Sequence, residues 1–276
     1  MKIKTSFSPE NTFFNGQCFR WNQEGDSFVG VVEDKVLRLR KEGDYLYVEG
    51  IREDELDWLL NYLGFEDDLE EKEEAISKID PFMAAAVEHG RGLHMLRQEP
   101  FETLISFIIS ANNHIPRIKS LVERLAENYG DELEPGYYAF PRPEQLAEAK
   151  VEDLRALGLG YRDKYIHHAA NLIASGQVDL ESLYELDSFS AGKELEKAKG
   201  VGKKVASCVL LFAFGKRDAF PVDTWIKKAL AEHYSEEIEN YSSVEDFLAN
   251  YFGPDGGLAQ QYLFHYMRTG TKTKSS

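Results

Sequence analysis

The sequence predicts an α+β fold: an antiparallel β domain at the N-terminus followed by a mainly α-helical body. Three observations carry that reading. The first fifty residues hold short β-rich runs separated by acidic, glycine-containing turns. From Asp80-Pro81 onward the apolar residues recur at helical spacing, and two Gly-apolar-Gly turns, 42 residues apart, punctuate that part. With 276 residues the chain can form two medium domains, and the division is expected at 1–79 and 80–276. Hydrophobic residues at 43% and aromatics at 12% suffice for a packed core and exclude a disordered chain.

Residues 28–32, 36–40 and 45–48 read as strands with partial alternation, broken at Gly25 and Gly43. Residues 52–80 follow as a linker of helical spacing, with Leu56, Leu59, Leu60 and Leu63 on one stripe. Twelve Asp/Glu against three Lys/Arg give this segment −9 of the chain's net −16, as expected of a solvated face. Phe101, Leu104, Ile105, Ile108 and Ile109 form a helix apolar on most sides, stopped by Ser110-Ala111-Asn112-Asn113. Residues 115–127, 143–150 and 151–157 are three further helices, with Pro141 and Pro143 as turn and first-turn punctuation. The two glycine turns are Leu157-Gly158-Leu159-Gly160 and Lys199-Gly200-Val201-Gly202. Glycine accepts φ > 0 and lets two helices meet closely, while free N–H groups at the next helix start point outward, where an anion can bind. The second turn lies in a helical hairpin over about 190–215, and in the helix it opens Val205, Val209 and Phe212 should face the core.

Other classes fall away. Two cysteines, Cys18 and Cys208, exclude a disulfide framework, a four-cysteine zinc site and a four-cysteine iron–sulfur cluster. The longest apolar run, 208–214, is far too short for a membrane span, and the first residues lack the apolar stretch of a secretory signal, so a cytoplasmic protein without membrane partners is expected. Gly200-Val201-Gly202 lacks the third glycine of a dinucleotide fingerprint and follows a helix, and no G-x-x-x-x-G-K-[ST] occurs. The net charge argues against a nucleic-acid partner, but residues 197–228 carry +6 and the tail adds Arg268, Lys272 and Lys274. A local basic face can still grip a polyanion. The charge permits DNA; it does not predict it.

Lys204 and Cys208 fall four apart, on a different stripe from the core residues of their helix. A lysine in a first helical turn gains nothing from the helix dipole. It reads either as a solvated or phosphate-contacting charge or as a partly desolvated amine able to act as a nucleophile. Cys208 reads as an inert buried thiol or, beside an ammonium, as a favoured thiolate. Asp223, in Phe220-Pro221-Val222-Asp223-Thr224-Trp225, is placed as the N-cap of the next helix. A carboxylate held there cannot swing away, which suits it to face a positive sugar carbon.

In order, the hairpin, Lys204 and Pro-Val-Asp223 resemble the helix-hairpin-helix DNA glycosylases and, within that superfamily, the 8-oxoguanine DNA glycosylase family, over nearly the whole chain. Gly16-Gln17-Cys18-Phe19-Arg20-Trp21, Ser110-Ala111-Asn112-Asn113-His114-Ile115-Pro116-Arg117 and Ala259-Gln260-Gln261-Tyr262-Leu263-Phe264 match that family's segments. The resemblance implies Lys204 and Asp223 as catalytic residues. It implies a base pocket of Gly16, Cys208, Gln260 and Phe264, in which the Gly16 carbonyl accepts the N7 hydrogen peculiar to oxidised guanine. Asn112 would fill the space vacated in the duplex, Arg117 and Arg162 would contact the orphaned cytosine, Tyr161 would wedge into the stack, and Gly200, Gly202 and Lys203 would meet phosphate. Without the family, Asn112 is a helix C-terminal cap and Arg162 a surface charge. Backbone carbonyls of Glu196, Ala198 and Val201 would hold a structural cation; no other cofactor is implied. The expected partner is double-stranded DNA containing 8-oxoguanine, engaged by a monomer in a prokaryotic, nucleoid-associated setting. Two departures mark the pocket edge: Trp225 stands where animal members carry His, and Met267 where they carry the Asp that pairs with it. An alkylated-base glycosylase would need Asp223 but not Lys204, and a non-catalytic DNA-binding module would need neither Asp223 nor the Gln260/Phe264 pair.

Overall fold

The computed structural model describes residues 1–65 and 68–270. Glu66, Asp67, Lys272 and Lys274, counted in the charge tallies above, lie outside the described residues.

Five antiparallel strands, β1 (Lys2–Lys4), β2 (Trp21–Glu24), β3 (Ser27–Val32), β4 (Lys35–Glu42) and β5 (Tyr45–Glu49), form one sheet in the order β1-β5-β4-β3-β2. Its three tight hairpin turns each place a residue at positive φ: Gly25 at 61°, Glu33 at 54° and Gly43 at 54°. Two of these are the glycine breaks expected from the sequence. Glu33 adopts the same backbone without glycine, and its carboxylate accepts the Trp58 indole N–H at 3.1 Å. Strands β1 and β2 escape sequence reasoning because three- and four-residue strands carry too little alternation to register.

The inner face of the sheet packs Trp21, Phe28, Leu37, Leu39 and Leu46 against Phe13 of the short helix Pro9–Phe13 and against Leu59, Tyr62 and Leu63 of the following helical turns. Trp21 lies flat on Phe13, 3.9 Å between ring centroids, and its indole N–H donates to the Tyr62 hydroxyl at 2.7 Å. Leu56–Tyr62 is helical and, within 52–80, Leu69–Ser77 is a second helix whose Ile76 belongs to the core of the helical body. A short hairpin, Glu132–Glu134 with Tyr137–Tyr138, covers the outer face of the sheet, setting Leu133 and Tyr137 against Val29, Val31 and Val36.

In the body, Pro100–Ser110 is buried along nearly its whole length, as its composition predicts. Glu99 caps it by accepting the Phe101 and Glu102 amides. The helix Lys203–Phe212 packs on it, with Phe107 stacked on Phe212 at 5.4 Å, so the hairpin is fixed to the most buried element of the body. Helix 151–157 is shorter than expected: α-helical geometry ends at Leu154, and Gly158 (φ 91°) and Gly160 (φ 60°) turn the chain into Asp163–Ala174. The second turn repeats the first, with Gly200 at φ 88°. The two turns meet on one helix, because Tyr165 of Asp163–Ala174 lies against Gly200, and His168 Nδ1 accepts the Lys199 amide at 3.3 Å.

Candidate active site

The hairpin helix opens at Gly202 with no side-chain cap, which leaves its first-turn N–H groups for an outside acceptor. One residue further in, Lys204 points along Pro100–Ser110: its Nζ donates to Ser110 Oγ at 3.4 Å and lies 5.2 Å from the Phe107 ring centroid. Asp223 is the expected N-cap of Thr224–His233 and accepts the Ile226 amide at 2.9 Å. A carboxylate fixed by its own helix keeps its second oxygen available to the cleft in front of it.

That cleft, about 680 Å³, joins Lys204, Cys208 and Asp223 to Gly16, Gln260 and Phe264. Gly16, at φ 88°, approaches Phe264 so closely that a Cβ there would stand 3.1 Å from the ring. The Gln260 amide oxygen is buried and has no hydrogen-bond partner among the described residues. Buried polar atoms are seldom left so, and this one can receive a donor from a bound group. Trp225 lines the same cleft, and Met267 is buried on the C-terminal helix that carries Gln260 and Phe264. Of the two readings of Cys208, the buried thiol holds. Its thiol is pushed up to about 11, because burial outweighs the neighbouring Lys204, so it remains a neutral thiol at physiological pH.

A second group gathers at the cleft mouth. Asn112 follows the end of Pro100–Ser110 in the left-handed region, φ 51°, and is exposed. Tyr161 is 51% exposed, and its hydroxyl donates to the Ala111 carbonyl at 3.4 Å. Arg117 is exposed and donates to the Gly158 carbonyl at 3.3 Å. Arg162 is no surface charge. It is buried, its Nε donates to Ala111 O at 3.1 Å, and its Nη2 donates to Asn112 O at 3.2 Å and also to Ala111 O. The side chain thus staples the first glycine turn to the loop that presents Asn112.

Gly200, Gly202 and Lys203 are exposed on the hairpin, where Lys203 meets Glu245 at 3.5 Å. Among Glu196, Ala198 and Val201, whose carbonyls were expected to face a cation, the Ala198 carbonyl accepts the Val201 amide at 3.0 Å and so closes the turn. Sequence reasoning missed Ser110 and Phe107 as the surroundings of Lys204, and Arg268 as a further residue of the cleft. Four-residue spacing beyond Gln260 and Phe264 was the available signal for the last of these.

Residues 1–104 match the model of the 8-oxoguanine DNA glycosylase N-terminal domain, and residues 105–254 that of HhH-GPD superfamily base excision DNA repair proteins. The chain belongs to this family. The N-glycosylase/DNA lyase OGG1 of Arabidopsis thaliana is 31% identical over 275 residues, an alignment covering 92% of this chain and 75% of the plant protein. The Clostridium acetobutylicum 8-oxoguanine glycosylase/lyase, solved with double-stranded DNA containing cytosine opposite 8-oxoG, superposes with a TM-score of 0.91 at 36% identity and 98% coverage of both chains. The structure of MBOgg1 with a low-affinity DNA ligand gives 0.92 at 38% identity, covering 98% of this chain and 96% of that one. This HhH-GPD chain therefore shares its whole described architecture with these glycosylases, the sheet included. No helix of its described residues is long and apolar enough to cross a membrane.

Proposed function

We propose that this protein is a bifunctional DNA glycosylase/AP lyase that excises 8-oxoguanine, preferably opposite cytosine. The observation that carries the reading is the convergence of Lys204 and Asp223 on one cleft walled by Gly16, Gln260 and Phe264. A base cannot reach that cleft from within a duplex, so it must leave the stack, at a cost of a few kcal/mol that phosphate contacts and the wedge offset. Tyr161 and Asn112 stand exposed at the mouth for that purpose, and the uncapped hairpin start offers its N–H groups to phosphate. Within the cleft the base lies along Phe264, with the unpartnered Gln260 oxygen accepting from its Watson–Crick edge. The Gly16 carbonyl accepts the N7 hydrogen that guanine lacks, so an undamaged base leaves that acceptor unpaired.

Lys204, as a neutral amine, attacks C1′ through its Nζ lone pair, and the proton its nitrogen then sheds passes to the departing base. The C1′–N9 bond breaks with its electron pair passing to the base, and Asp223 stabilises the positive charge that develops on the sugar. Ring opening gives a lysine Schiff base, and loss of a C2′ proton then expels the 3′ phosphate by β-elimination. Borohydride trapping on a duplex with one 8-oxoguanine, with the opposite base varied, tests the scheme. A covalent adduct is expected, strongest opposite cytosine, absent with undamaged guanine and absent in Lys204→Gln. Released base without an adduct would replace this reading with a monofunctional glycosylase resting on Asp223. Binding without either would leave a DNA-binding module.

A further inference from the structure

Gln260 and Phe264 are followed, at the same four-residue step on Gly256–Thr269, by Arg268, which lines the same cleft. Its Nη2 donates to the Phe14 carbonyl, and its guanidinium carbon lies 5.4 Å from the Phe264 ring centroid. Its Nε is buried without a hydrogen-bond partner, and among the described residues no carboxylate lies within ion-pair distance of it. A half-buried guanidinium without a partnering carboxylate is costly, and an apolar side chain would pack there without that cost. What offsets the cost is the face of Phe264 and the field of Asp223 on the cleft side, and the Phe14 carbonyl in the loop before Gly16. The next residue of the same loop is held in parallel, Gln261 Nε2 donating to the Asn15 carbonyl at 3.1 Å. Residues 14 and 15 are therefore both tied to the C-terminal helix, immediately before Gly16 meets Phe264.

We infer that Arg268 is a positioning residue of the base pocket: it fixes the Gly16 loop and the Phe264 ring in the one relative placement that recognition of the flipped base requires. The inference rests on the proposed function and extends it to a residue outside the motifs. Gly16 recognises through a backbone carbonyl, which no side chain of its own can aim, so its direction must be set by what holds the adjoining backbone. Arg268 does this from the helix that carries the other two base contacts, and its planar guanidinium backs the ring while one of its N–H groups holds the loop.

The test compares Arg268→Gln and Arg268→Lys with the wild-type chain on two substrates: a duplex carrying 8-oxoguanine, and the same duplex with a base-less site at that position. The first needs the pocket and the second does not. For Arg268→Gln, single-turnover excision of 8-oxoguanine should fall by about tenfold or more relative to trapping on the base-less site, since small misplacement of a reacting group is this costly. Arg268→Lys, which keeps the charge and a donor, should recover part of that ratio. Equal losses on both substrates, or excision as fast as wild type, would overturn the inference, as would a lysine variant no better than glutamine. Wild-type protein that traps on the base-less site yet never releases 8-oxoguanine would overturn the proposed substrate, and this inference with it.

Discussion

Gly16 shows how much a single missing side chain can decide. Its backbone sits at φ 88°, and the space a Cβ would need is taken by Phe264 at 3.1 Å and Ile115 at 3.6 Å. Gly16→Ala thus meets two penalties, a left-handed backbone and a crowded ring. Moving Phe264 to relieve the second would disturb the pocket itself. The expected outcome is a loss of stability of about 1–3 kcal/mol, together with a loss of 8-oxoguanine excision much larger than any loss on a base-less site. A melting curve and the two single-turnover assays would check it, and a variant excising at the wild-type rate would remove Gly16 from the pocket. Neighbouring residues of the same motif have a different task. Gln17 is fully buried; its Nε2 donates to the Thr12 and His94 carbonyls, and its Oε1 accepts the Leu96 amide. Arg20 pairs with Glu123 at 3.2 Å and donates to the Tyr138 carbonyl. One six-residue motif therefore supplies both a wall of the cleft and the fastenings that hold the sheet to the body.

At the scale of elements, the hairpin and its echo act as one device, because Gly200 packs on the helix that the first glycine turn opens. A Cβ at Gly200 would come within 2.4 Å of the Tyr165 ring, again at positive φ. Gly200→Ala should therefore displace the hairpin from its support, weakening affinity for damaged and undamaged duplex alike, since phosphate contacts carry no sequence or lesion information. Anisotropy titrations of both duplexes at one fixed salt concentration would check this, and a loss confined to damaged duplex would contradict it. These elements were legible in the sequence because their signals are local: the φ-permissive glycines, the four-residue spacing of Lys204 with Cys208 and of Gln260 with Phe264, and an aspartate before a helix. Arg162 was not legible without the family, because its partners are backbone carbonyls some fifty residues away in the chain, at Ala111 and Asn112. The choice between the two readings of Cys208 was not legible for the same kind of reason. Its neighbour Lys204 is visible at i−4, whereas the burial that overrides Lys204 is a property of the tertiary structure.

At the scale of the molecule, an acidic chain offers DNA a basic site by leaving cations unpaired beside the cleft. Within 197–228, Lys197, Lys203, Arg217 and Lys228 meet Glu194, Glu245, Asp255 and Glu232, and Lys216 is held by the Tyr184 and Leu186 carbonyls, whereas Lys199, Lys204 and Lys227 make no ion pair among the described residues. Lys199 lies in the hairpin turn, and Lys204 and Lys227 line the cleft, so the free charge is concentrated where a phosphate backbone would pass. The two halves of the molecule meet around another charge. Glu102, on Pro100–Ser110, borders a small cavity shared with Cys18, Arg20, Trp21 and Tyr62. Burial pushes its carboxyl up to about 7 from an ordinary 4.5, against the opposing pull of Arg20 and with help from Glu99 and Glu123. The folded chain thus favours the protonated form more than the unfolded chain does. This contribution to stability is fully present below the unfolded value of 4.5 and is lost as pH rises through about 7. Glu102→Gln, which mimics the neutral carboxyl at every pH, should melt at a higher temperature than wild type at pH 8, with the gain shrinking steadily towards pH 5. Melting curves of both proteins across that range would decide it. A loss of stability that did not change with pH would mean that Arg20 keeps the carboxylate charged throughout, and that the joint between the halves is an ion pair rather than a neutral contact.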